Sequence, residues 1–297
     1  GGTGTNGQSL NRGVCLDLSR HFTHIGEVDV AARQVRVGAG VIKDELNEVL
    51  KPHGLFFSPE LSTSNRATIG GMVSNDAAGQ GSMVYGRTAS HVRELTVALS
   101  DGSIVTLGPV KGAELQQCTE GTGFGARIHR EALAALKECH DQAAARFPRL
   151  NRYMTGYDLV HAWDPQSGEL NLARLVCGAE GTLAVVLEAL LDLTPLPVWR
   201  ALLVIRYADF DAALRHARVL SAAGALSVET MDSTVLGLAQ HDAIWQEVRR
   251  ACAPGPGEGT VLHGINIVEF AAADKAGAKA AFKDNGYTFQ GLKSGVP

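Results

Sequence analysis

The sequence has no close pair of cysteines. Its five thiols stand at positions 15, 118, 139, 177 and 252. No Cys-x-x-Cys is therefore available as a metal or redox pair, and the odd count fits reduced thiols in a cytoplasmic protein better than a disulfide framework. Neither charge is in excess. With 27 basic and 31 acidic residues the formal net charge is −4, which gives no electrostatic reason to expect nucleic acid or an anionic membrane as partner. No run approaches the ~18 uninterrupted apolar residues of a membrane span. Internal repeats, low-complexity tracts and a signal peptide are also missing. The first residue is a glycine in mid-motif rather than methionine, so the expectation is a fragment lacking its natural N-terminus.

What is present is a chain of 297 residues, 45% hydrophobic, long enough for one large or two medium domains with a real core. Its glycines cluster. Residues 67–86 carry glycine at 70, 71, 79, 81 and 86, with Thr68, Ser74, Asn75 and Ser82 between them and Asp76 as the one charge. A surface loop carries more charge than this, and a buried strand more β-branched residues. Backbone stripped of Cβ atoms lets a large polar ligand approach; the alternative is a glycine-rich loop with no ligand. Residues 1–11, Gly-Gly-Thr-Gly-Thr-Asn-Gly-Gln-Ser-Leu-Asn, make a turn whose N–H groups can point inward, a nest that binds phosphate without a cation. No Gly-Lys-Ser/Thr follows, which excludes a nucleoside-triphosphate P-loop. A third turn, Gly178-Ala-Glu-Gly181, completes the set. Three such turns, each beside a hydrophobic strand, suit a dinucleotide, whose pyrophosphate and ring system both demand bare backbone.

The coarse pattern is mixed. Residues 14–18 read as a short apolar strand, and 28–30 with 34–37 as a hairpin. Ile42, Leu46, Val49 and Leu50 have helical spacing, with Lys43, Asp44, Glu45 and Glu48 opposite; Pro52 and Gly54 stop that helix. Leu55-Phe56-Phe57 is a buried strand. Residues 91–99 and 104–107 pair across the turn Ser100-Asp101-Gly102. A helix covers 128–147, with Leu133, Leu136, Ala143 and Phe147 inward. Residues 151–158, Asn-Arg-Tyr-Met-Thr-Gly-Tyr-Asp, form a buried, ordered loop, either a packed connection or a cofactor or substrate wall. A strand enters the turn at 178 and another leaves over 185–193, and Pro195 and Pro197 mark a domain boundary. Beyond it strands at 201–207, 225–230 and 261–270 alternate with helices at 209–223, after the cap Asp232, and at 272–282, which suggests a small α/β sandwich. Phe210, Leu214, Ala217 and Leu220 share one face of the helix at 209–223. The pattern dissolves after Lys283.

The ordered set Gly1-Gly-Thr-Gly-Thr-Asn-Gly7, Pro59, Ala67-Thr-Ile-Gly-Gly71, Asn75, Gly79, Tyr85-Gly86, Val97-Ala-Leu-Ser-Asp-Gly102 and Gly178-Ala-Glu-Gly-Thr-Leu183 resembles the FAD-binding domain of the vanillyl-alcohol-oxidase / para-cresol-methylhydroxylase (PCMH) type. Within that superfamily it is similar to FAD-linked oxidases of D-2-hydroxy acids: D-lactate, glycolate and D-2-hydroxyglutarate dehydrogenases. Residues 151–158 and 193–197 look most like the large bacterial members fused to an iron–sulfur segment. The resemblance covers residues 1–197. It implies an α+β fold: a two-part FAD-binding PCMH-type domain over 1–197, N-terminus missing, and a partial ferredoxin-like cap domain over 198–297.

The roles follow from the resemblance. Gly2, Thr3, Gly4, Thr5, Asn6, Gly7 and Gln8 would cradle the FAD pyrophosphate. Pro59, Thr63, Ile69, Gly70 and Gly71 would border flavin and diphosphate, with Asn75, Gly79, Tyr85 and Gly86 completing that wall and Glu180, Gly181 and Leu183 closing from the other side. Arg152 and Tyr157 are candidate substrate-side contacts, and the catalytic residues are unknown. The implied reaction oxidises a D-2-hydroxy acid, D-2-hydroxyglutarate or D-lactate, to the 2-oxo acid by hydride transfer to flavin N5; another flavin oxidase or reductase, or a non-catalytic FAD-holding subunit, stays open. FAD is expected to be non-covalent, any iron–sulfur cluster to lie in absent segments, and no metal to be bound. His21 and His24 read as a solvated turn, Cys15 and Cys177 as core thiols, and Arg87 as a structural or surface ion-pair partner, with a cofactor phosphate as the alternative. The partners implied are a small 2-hydroxy acid, an unidentified electron acceptor and a second copy of the chain; the location is cytoplasmic or peripheral to the inner membrane.

Overall fold

The structure, a computed structural model, describes residues 1–4, 7, 10, 12–150, 156–252, 263–272 and 276–277. Its contacts divide the chain into two units, Gly1–Leu196 and Pro197–Pro297. In the first, β1 (Gln34–Gly38) leads to α1 (Lys43–Leu50), β2 (Leu55–Phe56), α2 (Ile69–Asn75) and α3 (Ser82–Tyr85). The hairpin β3 (Val92–Ala98) and β4 (Ile104–Leu107) follows, then β5 (Pro109–Val110), α4 (Gly112–Glu120), α5 (Phe124–Arg146), β6 (Trp163–Asp164), β7 (Glu169–Asn171) and α6 (Leu172–Val176). The unit ends with β8 (Val185–Asp192) and β9 (Thr194–Pro195).

One antiparallel sheet, in the order β1-β8-β3-β4, carries this unit. Its core face is made by Val35 and Val37 of β1, Leu95 and Val97 of β3, and Val186, Ala189 and Leu191 of β8, all buried. The period of two is broken once in each of β3 and β8, between Val92 and Leu95 and between Val186 and Ala189. The register shifts at the same places, between Val92 and Glu94 and between Thr96 and Val97. Bulges there turn the strands so that one face stays apolar across an irregular spacing. The bulge in β8 also frees the Leu187 carbonyl, which accepts from the Ala39 N–H at 2.8 Å. Leu46, Leu50, Ile69, Met72 and Val73 of α1 and α2 belong to the same core.

The second unit contains β10 (Trp199–Tyr207), α7 (Phe210–Ala222), β11 (Ser227–Asp232), α8 (Ser233–Ala239), α9 (Trp245–Cys252) and β12 (Gly264–Ala272). Its antiparallel sheet runs β10-β12-β11. Alternation divides the side chains. Ala201, Val268 and Phe270 pack with Leu220 of α7, while Val204, Ile265 and Ile267 pack with Leu236 of α8 and Trp245 and Cys252 of α9. The Asp209 carboxylate accepts from the Asp211 and Ala212 N–H groups and Asp232 from the Val235 N–H, capping α7 and α8.

Several expectations are corrected. Residues 14–18 form no strand, and Val14, Cys15 and Leu16 are exposed. The free edge of β1 is taken instead by residues 22–26, through bonds from Gly26 N–H to Arg36, Gly38 N–H to His24 and Gly40 N–H to Phe22. Cys15 is thus no core thiol, whereas Cys177 is buried. The hairpin expected over 28–37 is reduced on its first side to the bridges Asp29–Gln34 and Ile25–Val37. On α1 the buried face is Lys43, Leu46 and Leu50, and Val49 is exposed. On α7 Ala213 is buried and Leu214 exposed. The segment entering Gly178 is the helix α6, capped by the Asn171 side chain, rather than a strand; a short apolar run does not distinguish the two. Residues 67–86 hold two short helices rather than a loop. Residues 151–155, 261–262 and the tail after Lys283 lie outside the described residues, as does most of the helix expected at 272–282, while Tyr157 is exposed rather than buried.

Lys43 is 2% exposed, with its ammonium 3.7 Å from the Glu60 carboxylate. Its stem fills core space that a straight apolar chain of similar length can occupy. Lys43→Met is therefore expected to leave the unfolding midpoint within about 1 kcal/mol of the parent. Lys43→Ala, which leaves a hole, should cost about 2–3 kcal/mol in urea denaturation.

Candidate functional site

The site is built on α2. Two glycines in seven residues disfavour a helix by about 1 kcal/mol each, and so short a helix does not stand alone. It exists because both its ends are bonded to other segments. At the N-terminus Ile69 N–H donates to Val41 (2.8 Å) and Gly70 N–H to Ala39 (2.8 Å), the residue anchored to the β8 bulge. The Thr68 hydroxyl accepts from Gly71 N–H at 3.4 Å, the longest bond of the set. At the C-terminus the Val73 and Ser74 carbonyls accept from Gly178 and Glu180 N–H, both at 2.9 Å. The turn at 178–181 is thereby docked on the end of α2. Glycine is needed at 178, where φ is +82° and a Cβ would lie 3.3 Å from the Asp76 Cβ. Glu180 holds φ +52° in the same turn, a left-handed conformation that costs a non-glycine residue on the order of 1–2 kcal/mol.

These contacts bring the three glycine-rich turns to one cavity of about 260 Å³, lined by Gly1, Gly2, Thr3, Gly4, Leu61, Ala67, Thr68, Gly71, Met72, Ser74, Asn75, Ala77, Glu180 and Gly181. That volume lies near the lower end of small-molecule sites, roughly 300–1,000 Å³. Among the described residues the wall holds no lysine, arginine or histidine. The N–H groups of Gly2, Thr3 and Gly4 bond no described residue. A Cβ on Gly181 would meet nothing within 4 Å, and one on Gly71 only the Thr68 hydroxyl at 3.1 Å. Gly70 differs: its Cβ would lie 2.8 Å from the Ala39 Cβ and 3.0 Å from its carbonyl oxygen. One glycine of the pair packs the helix on the sheet, and the other leaves the cavity open.

A buried charge cluster backs this wall. Asp76, the left-handed C-cap of α2 with φ +47°, accepts from Ala89 N–H at 2.8 Å and lies 2.8 Å from the Arg87 guanidinium. Arg87 also faces Asp158 at 3.8 Å, and Asp158 is 2.9 Å from His161 Nδ1. Burial raises the Asp76 carboxyl above its ordinary value, against the Ala89 N–H and Arg87. Burial acts the same way on Asp158, but the bonds from His161 and the charge of Arg87 outweigh it and its carboxyl lies below the ordinary value. The buried Cys177 thiol is pushed far up by its burial, so it is an inert core group.

Of the residues singled out in the sequence, Gly2, Thr3, Gly4, Gly71, Asn75, Glu180 and Gly181 share the cavity wall. Gly7 is exposed outside it, and Thr5, Asn6, Gln8 and Arg152 lie outside the described residues. Pro59 is buried and Thr63 turns the chain, its carbonyl accepting from Arg66 and Ala67 N–H. Ile69 points into the core, and Gly79 packs on the Glu60 carbonyl. Tyr85 meets the Phe56 ring edge-on and Gly86 ends α3. Leu183 is exposed, and Tyr157 bonds the Thr182 hydroxyl at 2.9 Å, bracing the 178–183 turn. Arg87 is the structural ion-pair partner described above. His24 lies 3.3 Å from Glu188, and no group of three His, Cys, Asp or Glu is placed to hold a metal among the described residues. Sequence reasoning assigned no site role to seven wall residues, Gly1, Leu61, Ala67, Thr68, Met72, Ser74 and Ala77; the apolar four, Leu61, Ala67, Met72 and Ala77, read as core and carry no separate signal.

Residues 1–108 match the family described as FAD binding domain, and they lie within a first unit of α+β fold. More particularly, the chain is 50% identical over 274 residues to the D-2-hydroxyglutarate dehydrogenase of Pantoea ananatis (strain AJ13355), covering 92% of this chain and 27% of that protein. It is 46% identical over 276 residues to the D-2-hydroxyglutarate dehydrogenase of Escherichia coli (strain K12), covering 93% and 27%. The chain thus spans about a quarter of the length of these relatives. Among solved structures, alkyldihydroxyacetonephosphate synthase matches with a TM-score of 0.56 over 89% of this chain and 40% of that one, at 15% identity, a likeness of fold alone. No helix among the described residues is long and apolar enough to cross a membrane. The chemistry of the wall suits a dinucleotide's diphosphate: bare glycine backbone from three turns, N–H donors in place of cations, and one apolar flank from Leu61 and Met72, in a volume that holds part of such a cofactor rather than all of it.

Two outcomes test this geometry. Gly70→Val is expected to unfold the first unit, because the added carbons collide with the Ala39 backbone; circular dichroism melting reads it. Asp158→Asn should lower stability at pH 7 by about 1–3 kcal/mol. A carboxyl whose folded value is depressed contributes stability above its ordinary value of 3.8 and loses it as pH falls through the folded one. The gap between parent and variant in urea titrations should therefore close below pH 3.8. Asp76, raised in the fold, acts in the opposite sense and favours the native state on acidification.

Proposed function

We propose that the full-length protein is an FAD-dependent dehydrogenase that oxidises a D-2-hydroxy acid, D-2-hydroxyglutarate before D-lactate, to the 2-oxo acid. The observation that carries this reading is the meeting of three glycine turns in one cavity that no cationic side chain lines among the described residues. The identity to D-2-hydroxyglutarate dehydrogenases supports the choice of substrate. Bound FAD supplies the chemistry by accepting hydride at flavin N5. The N–H groups of Gly2, Thr3 and Gly4, with Thr5, Asn6 and Gln8 beside them in sequence, hold the diphosphate non-covalently. Gly71, Asn75 and Gly181 leave room for the rest of the cofactor, and the Glu180 backbone fixes the opposite wall. Tyr157 positions that wall through Thr182, and Arg152 is the substrate-side candidate. Residues 1–197 form the flavin domain and 198–297 the start of a ferredoxin-like, substrate-side cap. Iron–sulfur ligands and the site of the electron acceptor belong to other segments of the full-length protein, whose location is cytoplasmic.

In an anaerobic titration of full-length protein, D-2-hydroxyglutarate is expected to bleach the oxidised flavin band near ~450 nm. Bleaching by D-lactate or glycolate alone would reassign the substrate. Bleaching by polyols but by no hydroxy acid would make it a different flavin enzyme, and bound flavin that nothing bleaches would make it a non-catalytic FAD-holding subunit. Gly71→Val should reduce flavin content by roughly tenfold or more, a loss of at least about 1.4 kcal/mol of binding, with the unfolding midpoint of the apoprotein kept because valine is no worse a helix residue than glycine. Unchanged flavin content in that variant would remove the role of Gly71.

A further inference from the structure

A second cavity of about 440 Å³ opens beside α3, and none of its lining residues is shared with the glycine cavity. Among the described residues Ser82, Tyr85, Arg87, Ser90, His161 and Arg174 bring its polar side chains, and no carboxylate lines it. Arg87 and His161 are committed to Asp76 and Asp158 behind the wall. Arg174 is not: on α6 its guanidinium makes no hydrogen bond or ion pair with a described residue, and its charge is felt only at a distance by Asp76 and Cys177. The Ser82 and Ser90 hydroxyls also bond no described residue. A half-buried guanidinium and two hydroxyls that bond no described residue, lining one cavity whose described wall offers donors and no anionic side chain, are complementary to a planar or tetrahedral oxyanion. The volume falls within the range of small-molecule sites, roughly 300–1,000 Å³, and exceeds the needs of a bare ion.

We propose that this cavity binds a small organic oxyanion, carboxylate or phosphate, with Arg174 as its charge anchor and Ser82 and Ser90 as hydroxyl donors. The site is independent of the flavin reading, although Arg87 connects the two regions: it lines this cavity and, through Asp76, fixes the end of α2. Occupancy here would therefore be felt at the C-terminus of the helix that borders the glycine cavity.

The test is isothermal titration of full-length protein, flavin content recorded on the same samples, with inorganic phosphate and with succinate as separate probes. One probe should bind saturably at one site per chain. Phosphate binding alone identifies a phosphate ligand, and succinate binding alone a carboxylate. Arg174→Gln should weaken that binding about tenfold or more, the loss of a charged hydrogen bond of roughly 1.5–3 kcal/mol, with Arg174→Lys intermediate because it keeps the charge and loses the fork. If Arg174→Gln does not fold, the double variant Ser82→Ala, Ser90→Ala replaces it and should weaken binding severalfold. Absence of binding by both probes to the parent, or unchanged affinity in these variants, overturns the proposal. Parent protein without flavin that still binds the probe counts against the flavin reading and leaves this site standing.

Discussion

The bonds at the two ends of α2 hold the rest of the first unit in place. Ile69 and Gly70 tie the helix to residues 39–41, and Gly178 and Glu180 close on its last carbonyls. Neither attachment is a side-chain interaction, so the helix can be made of small residues and still be fixed. The bulge in β8 contributes by turning the Leu187 carbonyl toward Ala39, which in turn receives the Gly70 N–H. Sheet, helix and turn are connected through consecutive main-chain hydrogen bonds. The wall that results is mostly backbone, and backbone donors held by a sheet need no reorganisation to meet a diphosphate.

The charge cluster behind that wall works differently. Two buried carboxylates share one guanidinium, and a buried charge left alone costs several kcal/mol. Asp76, Arg87 and Asp158 therefore hold one another in place, joining the end of α2, the segment after α3 and the chain at 156–161. Because the two carboxyls shift in opposite directions, their effects on stability partly cancel across the acid range, while each remains sensitive to loss of the arginine.

Much of the fold was legible in the sequence, and the failures have specific causes. The β3–β4 hairpin, the helices α1, α5 and α7, and the cap Asp232 follow from periodicity and capping chemistry, which are local. Lys43 and Val49 exchanged places because a long aliphatic stem counts as polar by residue type and as core by shape. α2 reads as a loop because glycine is a poor helix former, and nothing local reveals that Ala39 and Gly178 will bond to it. For the same reason Gly70 and Gly71 are indistinguishable in sequence; only the 2.8 Å approach of Ala39 separates the packing glycine from the one at the cavity. The order of the three glycine turns pointed to a shared ligand. The Asp76–Arg87–Asp158 cluster was legible only in part: Arg87 read as an ion-pair partner, but nothing local names its carboxylates, and Asp158 lies some 70 residues further along the chain.

Both units place their last long strand in the interior of the sheet, β8 between β1 and β3 and β12 between β10 and β11. During synthesis the β3–β4 hairpin can form as soon as it emerges, whereas β1 must wait for some 150 further residues, and β10 and β11 stay unpaired until β12 follows. Pairing over such separations is slow, and unpaired strand edges are where nascent chains associate wrongly. The architecture thus makes each unit's completion a single late event on the ribosome: a chain interrupted before β8 has no finished sheet, and one interrupted before β12 carries the first unit followed by two unpaired strands.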